Sequence, residues 1–407
     1  MIVLFALLLV LQTAGACSDV ADCRAQAQAA AARGDYETFH DLAWRTVQKG
    51  KRNDPELMYL LARAQSLSGR PDDALVMLGR MADLGVATDA ATNEDFARVR
   101  KLPGWPELEA KLTGKPVTTF SAPSASTAPP PSAPPAASAP ADAVPFVSPN
   151  LDPIGLAHDA VSRRFVVGDR KARRLLVVDE MSHNVVTYVS AESAGFYDDL
   201  TGFTIDARRG DLWVVSAKGE PDASTSMLHK LQLVSGRTLQ DVPSPDRAGS
   251  VRFVGVAVTP DGTVYVLDGV DSRLYRLRPG SRALELVMRL DAHHATALAA
   301  EDDRVLYVAA DEGLVHVDVT SKAATPVKAV DQLTGFESLA WHAGALIGIE
   351  RVAASYLIVR VALEPSGTRA RPRAILAASP KSTAGGLARD AFYYLADDHT
   401  IRRLSLK

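Results

Sequence analysis

Residues 255–268 read Gly255-Val-Ala-Val-Thr-Pro-Asp-Gly-Thr-Val-Tyr-Val-Leu-Asp268. An apolar strand runs into Pro260-Asp261-Gly262, a tight hairpin turn, and a second apolar strand returns. Arg273-Leu-Tyr-Arg-Leu277 supplies a third strand and Leu284-Glu-Leu-Val-Met288 a fourth. The same phrase recurs along the chain. Gly155-Leu-Ala leads to Phe165-Val-Val-Gly-Asp169, and Gly202-Phe-Thr-Ile to Leu212-Trp-Val-Val215. Ala297-Leu-Ala leads to Val305-Leu-Tyr-Val308, Leu339-Ala-Trp341 to Leu346-Ile-Gly-Ile349, and Gly385-Gly-Leu-Ala to Phe392-Tyr-Tyr-Leu395. These six units, spaced about 41–53 residues apart, have the period of a four-stranded propeller blade. Radial repetition covers the sheet edges, so many short strands persist together. The expected fold is an all-β six-bladed β-propeller over 151–407. The last unit ends at Lys407, too early for a full fourth strand, and residues near Phe146-Val147 are expected to supply it.

Upstream the pattern changes twice. Residues 115–150 are dominated by Ser, Ala and Pro, with Pro129-Pro130-Pro131 and Pro134-Pro135. Such a segment cannot bury enough apolar surface to offset chain entropy and reads as a semi-rigid linker. Residues 17–114 read as a small all-α domain. Asp54-Pro55 starts a helix with an N-cap carboxylate and Pro at the first position. Leu57, Leu60, Leu61 and Ala64 follow at helical spacing, Gly69 ends the helix, and Pro71 opens the next with Ala74, Leu75, Leu78 and Met81 on one face. Small residues at Ala62, Gly69 and Ala74 resemble those of a tetratricopeptide repeat, and Gly34, Tyr36, Phe39 and Ala43 form an earlier copy. Phe96, Val99, Trp105 and Leu108 are expected to cap the stack. A generic helical bundle is the alternative.

The first sixteen residues read as a secretory signal. Val3 to Leu11 is an apolar run too short to span a bilayer, and Ala14-Gly15-Ala16 has the small-x-small pattern of a cleavage site. A buried helix and a lipid anchor on Cys17 are the other readings. Export permits a disulfide between Cys17 and Cys23, the only cysteines. Across 407 residues, 47% hydrophobic and 23% charged with a net charge of -3, nothing favours nucleic acid or an anionic membrane as partner.

The repeated units resemble NHL-repeat propellers and the gluconolactonase-type six-bladed propellers. The carrying residues are Asp169-(x4)-Arg174-Leu175, Asp268-(x4)-Arg273-Leu274 and Asp397-(x4)-Arg402, with Pro260-Asp261-Gly262 and Glu337-Ser-Leu-Ala-Trp341. The resemblance implies a divalent cation at the mouth of the central tunnel, held by Glu, Asn and Asp just before a Gly at the start of each innermost strand. Aligned blade by blade, that position holds Ile154, Thr201, Val254, Ala295, Glu337 and Ala384. A hard cation takes 6–8 oxygen ligands, several of them anionic. One carboxylate among aliphatic residues does not supply that set, and His294 is a poor ligand for a hard ion. No metal or cofactor is therefore expected.

No G-x-S-x-G elbow, phosphate loop or H-E-x-x-H occurs. The second strand of several blades ends in an acid: Asp169, Asp268, Glu350 and Asp397, with Asp311 one residue late. In an up-and-down blade this end shares a face with the start of the first strand. The acids either form a ring at the tunnel mouth that attracts a cation or basic ligand, or brace turns. The Arg five residues after Asp169, Asp268 and Asp397 favours bracing pairs with Arg174, Arg273 and Arg402. The expected function is an exported, non-catalytic binding or scaffold protein, its helical repeats taking a protein or peptide partner. A lactonase-type hydrolase using Glu337 is the alternative.

Overall fold

The computed structural model describes residues 17–51, 53–113, 143–220, 223–245, 249–379, 384–388, 390–397 and 399–406. The leader read at 1–16 and the linker stretch 115–142 lie outside them. The chain divides into two compact units. Among the described residues no helix is long and apolar enough to cross a membrane.

The first unit is helical. Helices α1 (Val20–Ala32), α2 (Tyr36–Lys49), α3 (Pro55–Leu67), α4 (Pro71–Asp83) and α5 (Trp105–Thr113) pack each against the next in chain order. Side-chain caps start three of them: Asp19, Asp35 and Asp54 accept from Asp22, Thr38 and Leu57 N–H groups. Leu57, Leu60, Leu61, Ala64, Ala74, Leu78 and Met81 are buried, as their spacing predicts. Phe96, Val99, Trp105 and Leu108 are buried too, on two 3₁₀ turns (Glu94–Phe96 and Val99–Lys101) and the start of α5. A disulfide joins Cys17 to Cys23 across the N-cap of α1.

The second unit is a six-bladed propeller of six four-stranded antiparallel sheets. Blades 1 to 5 span 153–190, 199–243, 253–289, 297–326 and 336–379, each in simple up-and-down order. The first strands touch one another in sequence around the ring, so they are the innermost. Apolar clusters fill the spaces between blades: Trp213, Val215 and Leu228 of blade 2 pack with Phe253 and Tyr275 of blade 3, and Leu156 and Phe165 of blade 1 with Tyr393 and Leu395 of blade 6. Close approach at the centre demands small residues. A Cβ on Gly386 would come 2.1 Å from the Leu156 carbonyl oxygen.

Blade 6 is built from both ends of the unit. Its three strands at Gly385–Ala388, Ala391–Asp397 and Thr400–Ser405 are completed by Ala143–Pro145, which pairs antiparallel as Ala143 with Arg402, Val144 with Ile401 and Pro145 with Thr400. The closing strand thus starts a few residues before the expected Phe146-Val147, and the propeller claims residues 143–150 from the stretch read as linker. The reason is packing. Val144 and Phe146 are both buried in the cluster between blades 1 and 6, and Phe146 N–H donates to His399 O at 2.8 Å.

Candidate functional site

At one mouth of the tunnel the innermost strands begin and the second strands end. The register slips by one residue there in four blades, between Pro153 and Gly155, Leu200 and Gly202, Phe253 and Gly255, and Phe336 and Ser338. The skipped residues are Ile154, Thr201, Val254 and Glu337. A bulge re-aims one side chain at a rim, and here it singles out the positions picked by alignment. Two other blades correct that alignment by one residue. Ala297 pairs with Ala309, so Thr296, not Ala295, precedes the strand in blade 4. Thr296 Oγ1 donates to Phe336 O at 2.6 Å, and Thr201 Oγ1 donates to Val215 O at 3.1 Å. In blade 6, Gly386 lies against Leu156 as Gly155 lies against Phe203, which makes Gly385 rather than Ala384 the equivalent position.

The mouth therefore offers Ile154, Thr201, Val254, Thr296, Glu337 and Gly385. Glu337 is held by Arg351, Nε to Oε1 at 2.9 Å. His294 Nδ1 lies 2.7 Å from Asp311 Oδ2, and His293 binds the Glu312 carboxylate through its backbone N–H and its ring. Glu312 holds the His293 pKa up, and in return its own carboxyl is lowered to about 2, chiefly by the His293 ring. The two histidines face separate acids and are not brought together. Asp199 pairs with Arg252 and lies 3.8 Å from Arg170. Among the described residues, no three His, Cys, Asp or Glu side chains stand close enough to hold a metal ion. This donor set does not fit the hard cation that the resemblance implies.

The end of the second strand proves to be a repeated structural position. Counting from the inner-strand pairs, it holds Asp169, Ser216, Asp268, Ala310, Glu350 and Tyr394. Asp268 is fully buried; its Oδ1 accepts from the N–H groups of Arg252 (2.9 Å) and Val270 (3.1 Å), and its Oδ2 from Arg273 Nε (2.9 Å). Asp169 repeats the arrangement with Asp152, Ala172 and Arg174 Nε at 3.4, 3.3 and 3.0 Å. Each carboxylate ties the entry of the first strand to the turn after the second. Glu350, which has no Arg five residues on, is nonetheless paired, with Arg373 from beyond the third strand. Asp397 and Arg402 do not pair. A register shift between Leu395 and Asp397 sets Thr400 opposite Asp397 and Tyr394 opposite Arg402, and the exposed Asp397 carboxylate accepts from His399 N–H at 2.8 Å. Asp311 is likewise exposed, one residue beyond the brace position.

In blade 2 the brace takes a form that the sequence did not signal. Ser216 Oγ lies 2.9 Å from His229 Nε2, and His229 Nδ1 lies 2.8 Å from Asp241 Oδ1. Burial pushes the His229 pKa down, opposed by Asp241, which favours the neutral ring. The ring then donates from Nδ1 to Asp241 and accepts from the Ser216 hydroxyl, which itself accepts from Tyr197 N–H at 3.1 Å. The order Ser–His–Asp is that of a nucleophilic triad. Its burial is the reverse. Ser216 has no exposure and His229 1%, whereas the Asp241 side chain is 45% exposed. The hydroxyl is sealed in the interior, and the row links the lead into blade 2 to its outer strands.

No protein-family model and no curated protein matches the chain. Solved structures do. The Malassezia sympodialis major allergen Mala s 1 superposes with a TM-score of 0.52 at 14% identity, covering 65% of this chain and 96% of that one. A putative gluconolactonase gives 0.49 at 12% identity over 65% and 92%, and virginiamycin B lyase from Staphylococcus aureus 0.47 at 12% over 65% and 98%. At this identity the likeness is one of fold: this chain carries a six-bladed β-propeller of the shape found in that allergen.

Proposed function

We propose that the protein is an exported binding protein whose propeller performs no lactonase-type metal chemistry at its tunnel mouth. The observation that carries this reading is the state of the mouth carboxylates. Glu337, Asp199, Asp311 and Glu312 each already face an arginine or histidine partner, and the remaining bulge positions are aliphatic, hydroxyl or glycine. A carboxylate held by a guanidinium is a poor nucleophile and a poor ligand, because binding a cation costs the existing pair. The Cys17–Cys23 disulfide supports export, since such bonds persist in oxidising compartments, and it uses the sulfur that a lipid anchor would need. In this reading the helical unit offers the second surface, to a protein or peptide.

The test is metal loading. Purified full-length protein is incubated with Ca²⁺ or Zn²⁺, freed of excess, and assayed for bound metal and for hydrolysis of sugar lactones. Substoichiometric metal and no turnover are expected, for the native chain and for Glu337→Gln alike. One tightly bound ion per chain, lost in Glu337→Gln together with lactone turnover, would overturn the reading.

A further inference from the structure

The opposite face of the propeller carries a cavity of about 540 Å³ between blades 4 and 5. The volume is that of an ordinary small-molecule site. One wall is aromatic: the half-buried Trp341 ring stacks on fully buried Tyr307 at 5.4 Å and 6°, and half-buried His316 meets Tyr307 edge-on at 5.5 Å, so Trp341 and His316 are the rings a ligand reaches. At the end of the innermost strand of blade 4, Glu301 accepts from the Tyr307 hydroxyl at 3.1 Å. Burial pushes both the Glu301 carboxyl and the Tyr307 phenol up.

A strap from blade 5 closes the cavity over the outer edge of blade 4. Residues 363–371 leave the third strand of blade 5, and Thr368 O accepts from Lys328 N–H while Ala370 N–H donates to Lys328 O, both at 2.9 Å. Gly367, at φ +70°, passes directly over the wall. A Cβ there would lie 2.7 Å from Tyr307 Oη and 2.8 Å from His316 Cδ2. The strap also brings Glu364 and Arg371 to the lining, and neither makes an ion pair among the described residues. Arg304, by contrast, is neutralised by Asp318 at 2.6 Å.

We propose that this cavity is a binding site for a neutral polyhydroxylated ring, a saccharide of one or two units. With Arg304 held by Asp318, the groups left to meet a ligand are Glu364, Arg371 and Glu301, a lining of mixed sign that gives no cationic field to hold an anion. A purely apolar ligand would strip water from Glu364 and Arg371 without compensation. A sugar ring answers each feature. Its C–H face lies on an aromatic wall, and its adjacent hydroxyls match the two-pronged geometry of a guanidinium and a carboxylate. The site is separate from the tunnel mouth, and the inference does not depend on how the mouth is read.

The experiment is calorimetric titration of the full chain with glucose, maltose and cellobiose. At least one should bind saturably, with Arg371→Ala, on the exposed strap, and Trp341→Phe, a conservative change, each weakening it about tenfold while melting stays as in the native chain. Absence of saturable binding by all three up to about 50 mM, well past the weak millimolar range, overturns the proposal. So does binding that both variants leave unchanged, which would put the sugar elsewhere.

Discussion

Replacing Asp268 by Ala removes three interactions from a site without solvent. The N–H groups of Arg252 and Val270 lose their acceptor, and Arg273, 9% exposed, loses its main carboxylate. Breaking a buried pair by deleting one partner costs about 3–5 kcal/mol. Arg273 retains the Ser250 carbonyl at 2.5 Å and Asp271 at 3.1 Å, which sets the loss at the lower end, about 3 kcal/mol. For a domain of this size that lowers the melting temperature by about 6–12 °C. Asp169→Ala should cost about 2 kcal/mol, because its N–H contacts are longer and its partner Arg174 keeps 29% of its side-chain exposure. Asp397→Ala, which loses one exposed turn bond, should stay within about 0.5 kcal/mol of the native chain. Thermal melts followed by far-ultraviolet circular dichroism at neutral pH give the ranking. Native-like melting of Asp268→Ala, or equal loss in Asp397→Ala, would refute the bracing argument.

Three further outcomes are expected. Glu180, nearly buried beside the His158 ring (3.5 Å) and Arg163 (3.2 Å), has its carboxyl lowered from 4.5 to about 2, first by His158. Its folded pKa lies below the unfolded one, so its stabilisation is complete above about pH 4.5 and is lost as pH falls toward 2. Glu180→Gln should therefore flatten the loss of urea stability between about pH 5 and 3, and an unchanged slope would count against it. Deleting 143–145 from the full chain should lower the propeller's stability by about 3–5 kcal/mol, measured by urea unfolding, since Val144 burial and three ladder positions go together. Ser216→Ala strands the Tyr197 N–H and His229 Nε2 and should cost about 1–3 kcal/mol in the same assay, while a serine-directed sulfonyl fluoride leaves native Ser216 unlabelled.

The propeller was legible because each blade repeats one local phrase, an apolar strand, a Pro-Asp-Gly or similar turn, and an apolar return. The closing strand was not. Ala143-Val-Pro145 is three residues in a Pro- and Ala-rich run, with no period, and it becomes a strand only because blade 6 leaves an edge at Thr400–Ser405. Sequence spacing found Asp169–Arg174 and Asp268–Arg273, which face each other across one hairpin. The same spacing failed at Asp397, where the hairpin carries an irregularity that spacing does not encode. Glu350–Arg373 and Ser216–His229–Asp241 join segments that meet only after the blades form, so no local motif announced them. In four blades the position picked by alignment coincides with the bulge at the start of the innermost strand, and around His294 and Gly385 the strand register lies one residue away from it.

The ring's last joint has a consequence for the order in which the molecule can be made. Ala143 leaves the ribosome before any blade exists, yet its partner Arg402 comes from the final hairpin. For the whole interval of synthesis the chain holds a short apolar strand without an edge to join, and five blades stack as an open arc whose two end faces, at blade 1 and blade 5, are bare. Each blade can fold as it emerges, because its contacts are local, whereas closure is a long loop that must wait. The same joint is where tension would act. A pull transmitted from the helical unit along the connecting segment reaches Ala143 first, and the three-residue pairing with Thr400–Arg402 would yield before the apolar contact between blades 1 and 6. The propeller is thus a clasp whose fastening lies at the point of attachment to its neighbour.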